Sequence, residues 1–299
     1  MSSAKGISVV IPAYGSCEHL EALVEALLNG TVQPCEIIIS HSGEANPCKR
    51  FSGLQPMVRV IHQSERLFAG AARNRGVAVA KSEIIAFIDA DVSPEKDWLL
   101  RLVDALLDNP ERFVVGSVGC ATSGGYWGMT NWICEFSEML PWRSSRVQSG
   151  GASCNMIVFR KNFSAAGGFP EAHQPGEDTV LFLKLAKLGL QLWFESSAKV
   201  YHHNVVGFTK LAKHQYRLGY HSALVRQQFP IRGSSATKFW PLILLLWLPR
   251  LGLITKRVLE AGWKNVPLAV LYFPALIVAT WCWAAGFFSR VRNPETFKD

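Results

Sequence analysis

The first 110 residues alternate between two hydrophobic periods, and that alternation leaves few folds open. Short apolar, β-branched runs occur at 7–11 (ISVVI), 35–40 (CEIIIS), 58–63 (VRVIHQ) and 83–91 (EIIAFIDAD). Between them lie segments of helical period. Residues 18–28 place Leu20, Leu23, Val24, Leu27 and Leu28 on one face, and 70–82 and 97–109 read as two more helices. Strands that alternate with helices predict a parallel sheet with crossover connections. The strands are near-continuous apolar runs, as expected when both sheet faces are covered.

The fourth run ends abruptly in Asp89, Ala90 and Asp91. In an open α/β sheet, ligands bind beyond the carboxyl ends of the strands. Two carboxylates two residues apart in an extended chain point the same way. They suit a hard cation such as Mg²⁺ or Mn²⁺ that also takes substrate phosphate oxygens. The competing reading is local: Asp91 or Ser93 could cap the helix that follows Pro94.

Beyond residue 110 the pattern loosens. Residues 126–147 are aromatic and irregular, 150–160 (GGASCNMIVFR) read as a glycine-led turn into a strand, and a helix is predicted from about Glu177. Residues 191–204 are read as two short strands, and 208–229 as a basic, aromatic helix. Two apolar segments follow. Residues 239–254 are interrupted by Pro241, Pro249 and Arg250, which suits an interfacial position. Residues 266–288 carry no charge and are long enough to span a bilayer. The competing reading makes both core helices of a soluble domain.

Four segments in order, SVVIPAYG, GAARNRGVAVAKSEIIAFIDADV, SGGASCNMIVFRKNFSAAGGFPE and PGEDTVLFLKLAKLG, resemble the family-2 glycosyltransferases of GT-A fold over roughly residues 6–225. The resemblance implies an α/β, Rossmann-like, mostly parallel sheet flanked by helices. It implies inverting transfer of a sugar from a nucleotide diphosphate sugar, with Mg²⁺ or Mn²⁺. By that resemblance Pro12, Ala13 and Tyr14 line the nucleoside pocket, and Arg73 approaches the nucleotide and its phosphates. Asp89 and Ala90 lie on the donor side, and Asp91 ligates the metal. His202 completes the metal site, with His203 as its rival. Asp178 is the catalytic base with Glu177 beside it, and Gly168 lies near the acceptor. Asn155 either supports the acceptor pocket or bonds backbone. Each has a bland competitor: Glu177 and Asp178, for instance, are acids at a helix start, where the macrodipole favours them.

Two departures matter. Many relatives carry an acidic residue after the second strand, where this chain has Ser40 and His41. Processive members carry a Gln-x-x-Arg-Trp pattern; residues 214–220 (HQYRLGY) have Gln215 and Arg217 but no tryptophan. A single sugar addition is expected, with Arg217 reaching the diphosphate or facing lipid headgroups.

The seven cysteines form no C-x-x-C pair, which argues for a reducing setting. A net charge of +8 is compatible with nucleic acid, but no recognised nucleic-acid module occurs, so none is expected as a partner. The expected organisation is a catalytic domain at 1–230 on the cytoplasmic face and a hydrophobic, helical, membrane-associated tail at 231–299. A lipid-borne or saccharide acceptor would suit such a tail. Two other classes stay open: a nucleotidyltransferase, for which the glycine-rich basic loop after the first strand is lacking, and a non-catalytic nucleotide-sugar-binding membrane protein.

Overall fold

The computed structural model describes residues 6–15, 18–44, 46–54, 56–122, 125–171, 175–204, 207–238, 243, 245–260 and 262–293. These divide into two compact units: 1–121, 144–172 and 177–202, and then 122–143, 173–176 and 203–299. Residues 239–242 and 244 of the first apolar segment lie outside the described residues, as does Cys17.

The first unit is built on one sheet of nine described strands. These are β1 (Ile7–Tyr14), β2 (Glu36–Ser42), β3 (Val58–Gln63), β4 (Ile84–Ile88), β5 (Val92–Pro94), β6 (Arg112–Thr122), β7 (Arg146–Val147), β8 (Asn155–Phe159) and β9 (Gln191–His203). Their order is β3-β2-β1-β4-β8-β6-β9-β5, with β7 added beside β9. The four predicted strands form the parallel part, β3-β2-β1-β4. Strand β8 pairs antiparallel with β4 and β6, and β9 antiparallel with β5 and β7, so the sheet is mixed.

Apolar strands covered on both faces put Val9, Val10 and Ile11 of β1, Ile37–Ile39 of β2 and Ile84–Ile88 of β4 in the core, all at most 1% exposed. The covering helices are α1 (Leu20–Leu28), α2 (Ala69–Val79) and α3 (Trp98–Asp108), with α5 (Arg160–Ala165) and α6 (Glu177–Lys187) later in the chain. Helix α2 can approach β1 because residue 76 is glycine: a Cβ there would lie 2.4 Å from Val10 Cγ1. That approach aims Arg73, one turn earlier, at the carboxyl end of β4.

Strand β6 was not foreseen. Its apolar run is broken by Gly116 and Gly119, which depress strand propensity. The fold needs them: a Cβ on Gly116 would sit 2.2 Å from Ala198 O, and one on Gly119 2.6 Å from the Tyr201 ring. Residues 191–203 form one long strand rather than two short ones.

The second unit contains α4 (Gly125–Phe136), α7 (Phe208–Gln228), α8 (Trp247–Leu259) and α9 (Val266–Arg292). The irregular-looking aromatic stretch after 125 is thus a helix. Helix α7, read from sequence with residues 1–230, belongs to this unit. Among the described residues one helix, within Trp263–Arg292, is long and apolar enough to cross a membrane.

Candidate active site

At the carboxyl ends of β1 and β4 the chain opens a cleft of about 520 Å³. Pro12, Ala13 and Tyr14 form one wall and Asp89, Ala90 and Asp91 another, with Glu18, His19, Leu67, Ala69 and Ala72 completing it. Six residues singled out from the sequence therefore share one cavity. Strand β4 ends at Ile88, so Asp89–Asp91 form a turn into β5 rather than continuing extended. The two carboxylates still line the same cleft, but each has its own partner. Asp89 accepts from Arg73 Nη2 at 2.6 Å, and Asp91 lies 3.5 Å from His202 Nε2.

His202 reaches Asp91 through strand register. It sits on β9 opposite Val92 of β5, the residue after Asp91. Asp91 is about half exposed and His202 14%. A carboxylate oxygen and an imidazole nitrogen at that spacing could hold one divalent cation whose other ligands come from phosphate and water. No cluster of three such side chains occurs among the described residues. His203, the rival, falls outside the first unit.

Arg73, expected to approach the nucleotide and its phosphates, is not among the residues that line the cleft. Its side chain is 3% exposed and is spent on three carboxylates: Asp89, Glu177 Oε1 at 3.3 Å and Asp178 Oδ1 at 3.9 Å. Its guanidinium also lies over the Phe169 ring, 5.3 Å from the centroid. Burial alone would lower its pKa, but Asp89, then Asp178 and Glu177, more than offset this and hold it above the ordinary value.

The acids respond in kind. Burial, reinforced by Asp178, pushes the Glu177 carboxyl up to about 7. Burial also raises Asp178, opposed by Arg73 and by two hydrogen bonds from Ser153. Ser153 donates its Oγ to Asp178 Oδ1 at 2.5 Å and its backbone N–H to Oδ2 at 3.2 Å. Ser153 was not singled out from sequence; it meets Asp178 only in the folded chain. Asp178 remains 25% exposed, against 12% for Glu177, so it is the more accessible of the two. Neither lines the cleft directly; Arg73 connects them to Asp89.

The sequence model described as "Glycosyl transferase family 2" matches residues 8–166. The chain belongs to that family. A similar curated protein is the glycosyltransferase AglE of Haloferax volcanii, 24% identical over 92% of this chain and 91% of its own length. Another is the glucosyl-dolichyl phosphate glucuronosyltransferase of the same organism, 30% identical over 45% of this chain and 42% of its own. A solved structure of GalNAc-T7 with UDP, GalNAc and Mn²⁺ superposes with a TM-score of 0.56 at 16% identity, covering 74% of this chain and 48% of that one. The chain thus spans less than half the length of the last two. That likeness concerns the fold, which is GT-A.

The remaining family-derived residues scatter. Ser40 pairs with Pro12 in the sheet but is wholly buried, does not line the cleft, and its hydroxyl has no partner among the described residues. Its neighbour His41 is also buried, bonded to Gly15 O and His62 Nδ1, both at 3.0 Å. Asn155 is not on an acceptor surface. It is fully buried, donates to Ser117 O and Ala198 O, and accepts from Trp98 Nε1, so its amide ties β8 to β6, β9 and α3. Gly168, at φ 68, lies at a separate cavity of about 430 Å³. The next residue is clamped there by Asn74, whose side chain both donates to and accepts from the Phe169 backbone at 2.9 Å. Arg217 lies on α7 in the second unit.

Proposed function

We propose that this family-2 chain transfers a single sugar from a nucleoside diphosphate sugar to an acceptor hydroxyl or phosphate, with inversion at the anomeric carbon. The observation that carries the reading is the cleft in which Pro12, Ala13, Tyr14, Asp89, Ala90 and Asp91 converge beside an Arg73-centred set of carboxylates. The apolar wall suits a base and ribose, and the acidic wall suits a cation-bound diphosphate. Asp91 and His202 would hold Mg²⁺ or Mn²⁺, and the cation would neutralise charge on the departing diphosphate.

Asp178 takes the acceptor proton. Its raised pKa strengthens it as a base, and Ser153 fixes the carboxylate plane. The acceptor oxygen then bonds to the anomeric carbon as the bond from that carbon to the diphosphate breaks, and the nucleoside diphosphate leaves. Glu177, with a pKa near 7, shares the Arg73 charge and keeps a proton available within the set. Arg66, 4.9 Å over both the Tyr14 and Phe68 rings, puts a cation at the cleft edge, and among the described residues no carboxylate pairs with it.

A membrane-proximal, lipid-linked acceptor is the reading favoured for the second unit, with catalysis on the cytoplasmic face where nucleotide sugars reside. The apolar α9 and the likeness to a dolichyl-phosphate enzyme support it. The test is product stereochemistry. The full chain is incubated with UDP-, GDP- or dTDP-sugars, Mn²⁺ and polyprenyl phosphate or glycolipid acceptors, and the new anomeric linkage is read by NMR. One donor should yield a product of inverted configuration; a retained configuration would sink the single-base mechanism.

A further inference from the structure

Positive charge is unevenly divided between the two units. The second holds fourteen Lys and Arg against five Asp and Glu, a net +9, whereas the first stands at −1. The same unit exposes an apolar stripe. Helix α9 buries Ala269, Leu276, Ala279, Trp283 and Phe287. Its opposite face, carrying Val266, Val270, Phe273 and Trp281 with Leu271 alongside, stands open, Val270 being 68% exposed. Those spacings fall on one side of a helix, and the stripe runs roughly 22 Å at 1.5 Å per residue. No charged residue lies between Val266 and Phe288. A contiguous stripe of this length calls for a partner, whereas scattered apolar residues would not. At its start Trp263 is 79% exposed beside exposed Lys264, a pairing suited to the headgroup level.

The covered side decides how α9 can meet lipid. Tyr126 of α4 donates its hydroxyl to Leu271 O at 2.9 Å and stacks on Tyr272. Arg250 of α8 lies 4.4 Å over the Trp283 ring. Helices α7 and α9 touch backbone to backbone: a Cβ on Gly219 would meet Trp283 O at 1.9 Å, and one on Gly286 would meet Tyr216 O at 1.9 Å. The covering helices carry Lys210, Lys213, Arg217 and Arg226 on α7 and Arg250, Lys256 and Arg257 on α8. If α9 crossed a bilayer in this packing, such cations would be drawn toward the hydrocarbon, where each is opposed by roughly a hundredfold.

We propose that the second unit docks on an anionic bilayer surface, with α9 lying in the membrane plane and its 266–281 stripe set into the headgroup–acyl boundary, rather than spanning. The net charge supplies the attraction and the stripe the anchor. This deepens the membrane-proximal reading of the acceptor, and it fails separately from the donor chemistry.

The experiment is flotation of the full purified chain with vesicles of phosphatidylcholine alone or mixed with phosphatidylglycerol, followed by alkaline carbonate extraction of the bound protein. Binding should be at least about tenfold stronger on the anionic vesicles, should weaken with salt, and should be released by carbonate. A Val270→Glu, Leu271→Glu double variant should bind at least about tenfold less, with unchanged melting temperature and nucleotide binding, since both side chains are exposed. Equal binding to both vesicles, full binding by the double variant, or retention in the carbonate pellet would each overturn the proposal. Loss of Mn²⁺-dependent nucleotide binding in the wild-type chain would instead count against the transferase reading alone.

Discussion

Replacing Arg73 with methionine isolates the electrostatic heart of the site. The side chain is 3% exposed, and its three carboxylates are between 12% and 27% exposed, so solvent screens the set only partly. Removing one partner from a buried charge cluster costs about 3–5 kcal/mol, because the remaining charges lose compensation. For a unit of this size that corresponds to a fall in melting temperature of roughly 6–20 °C. The cost should depend on pH, and the sign follows from linkage. Glu177 already titrates near 7 in the folded chain against an ordinary 4.5, so the folded state binds the extra proton between those values and loses stability as pH rises through them. Without Arg73 the folded pKa values of Glu177 and Asp178 move higher still, and that loss deepens. Thermal unfolding of both proteins at about pH 5 and about pH 8 should give a small difference at the lower value and the full difference at the higher. An equal difference at both would refute the reasoning: the lesion would then be lost packing on Phe169, not uncompensated charge.

Three further outcomes follow from the same geometry. Asp178→Asn should lower turnover by roughly 10²–10⁴-fold while nucleotide affinity stays unchanged, measured by donor consumption beside titration calorimetry. Ser153→Ala removes a hydrogen bond that favours the ionised Asp178, so the acidic limb of the kcat/KM profile should move to higher pH, with little change in KM. Asn155→Leu strands Ser117 O, Ala198 O and Trp98 Nε1 in the core and should cost roughly 3–6 kcal/mol in denaturant unfolding, without altering nucleotide affinity in the folded fraction.

The parallel half of the sheet was legible because its strands are unbroken β-branched runs separated by helical period. The place of Asp89 and Asp91 at a cleft was legible for a related reason: an apolar run that ends in two acids marks a strand terminus where the chain opens to solvent. Strand β6 was hidden because close packing against Ala198 and Tyr201 demands glycines, and these erase the strand signal. The sequence places the Arg73 cation near the Asp89 strand end but does not show the three carboxylates folded around it. Asn155 illustrates the same limit. A lone polar residue opening an apolar strand is equally compatible with a pocket and with a buried amide that satisfies three neighbours. Ser153 carries no local signal at all, since its partner lies 25 positions along the chain. The basic residues look scattered in sequence, and the division into units shows that fourteen of the 31 belong to the unit that carries α9.

The proposed transfer depends most heavily on Asp91 and His202 as the cation-holding side of a nucleoside diphosphate cleft. Calorimetric titration of the full chain with UDP, GDP and dTDP, with and without Mn²⁺, tests this directly. One nucleotide should bind only with Mn²⁺, and Asp91→Asn should abolish the metal dependence and weaken binding about tenfold or more. Binding that is equally strong without Mn²⁺ and indifferent to Asp91→Asn would contradict it.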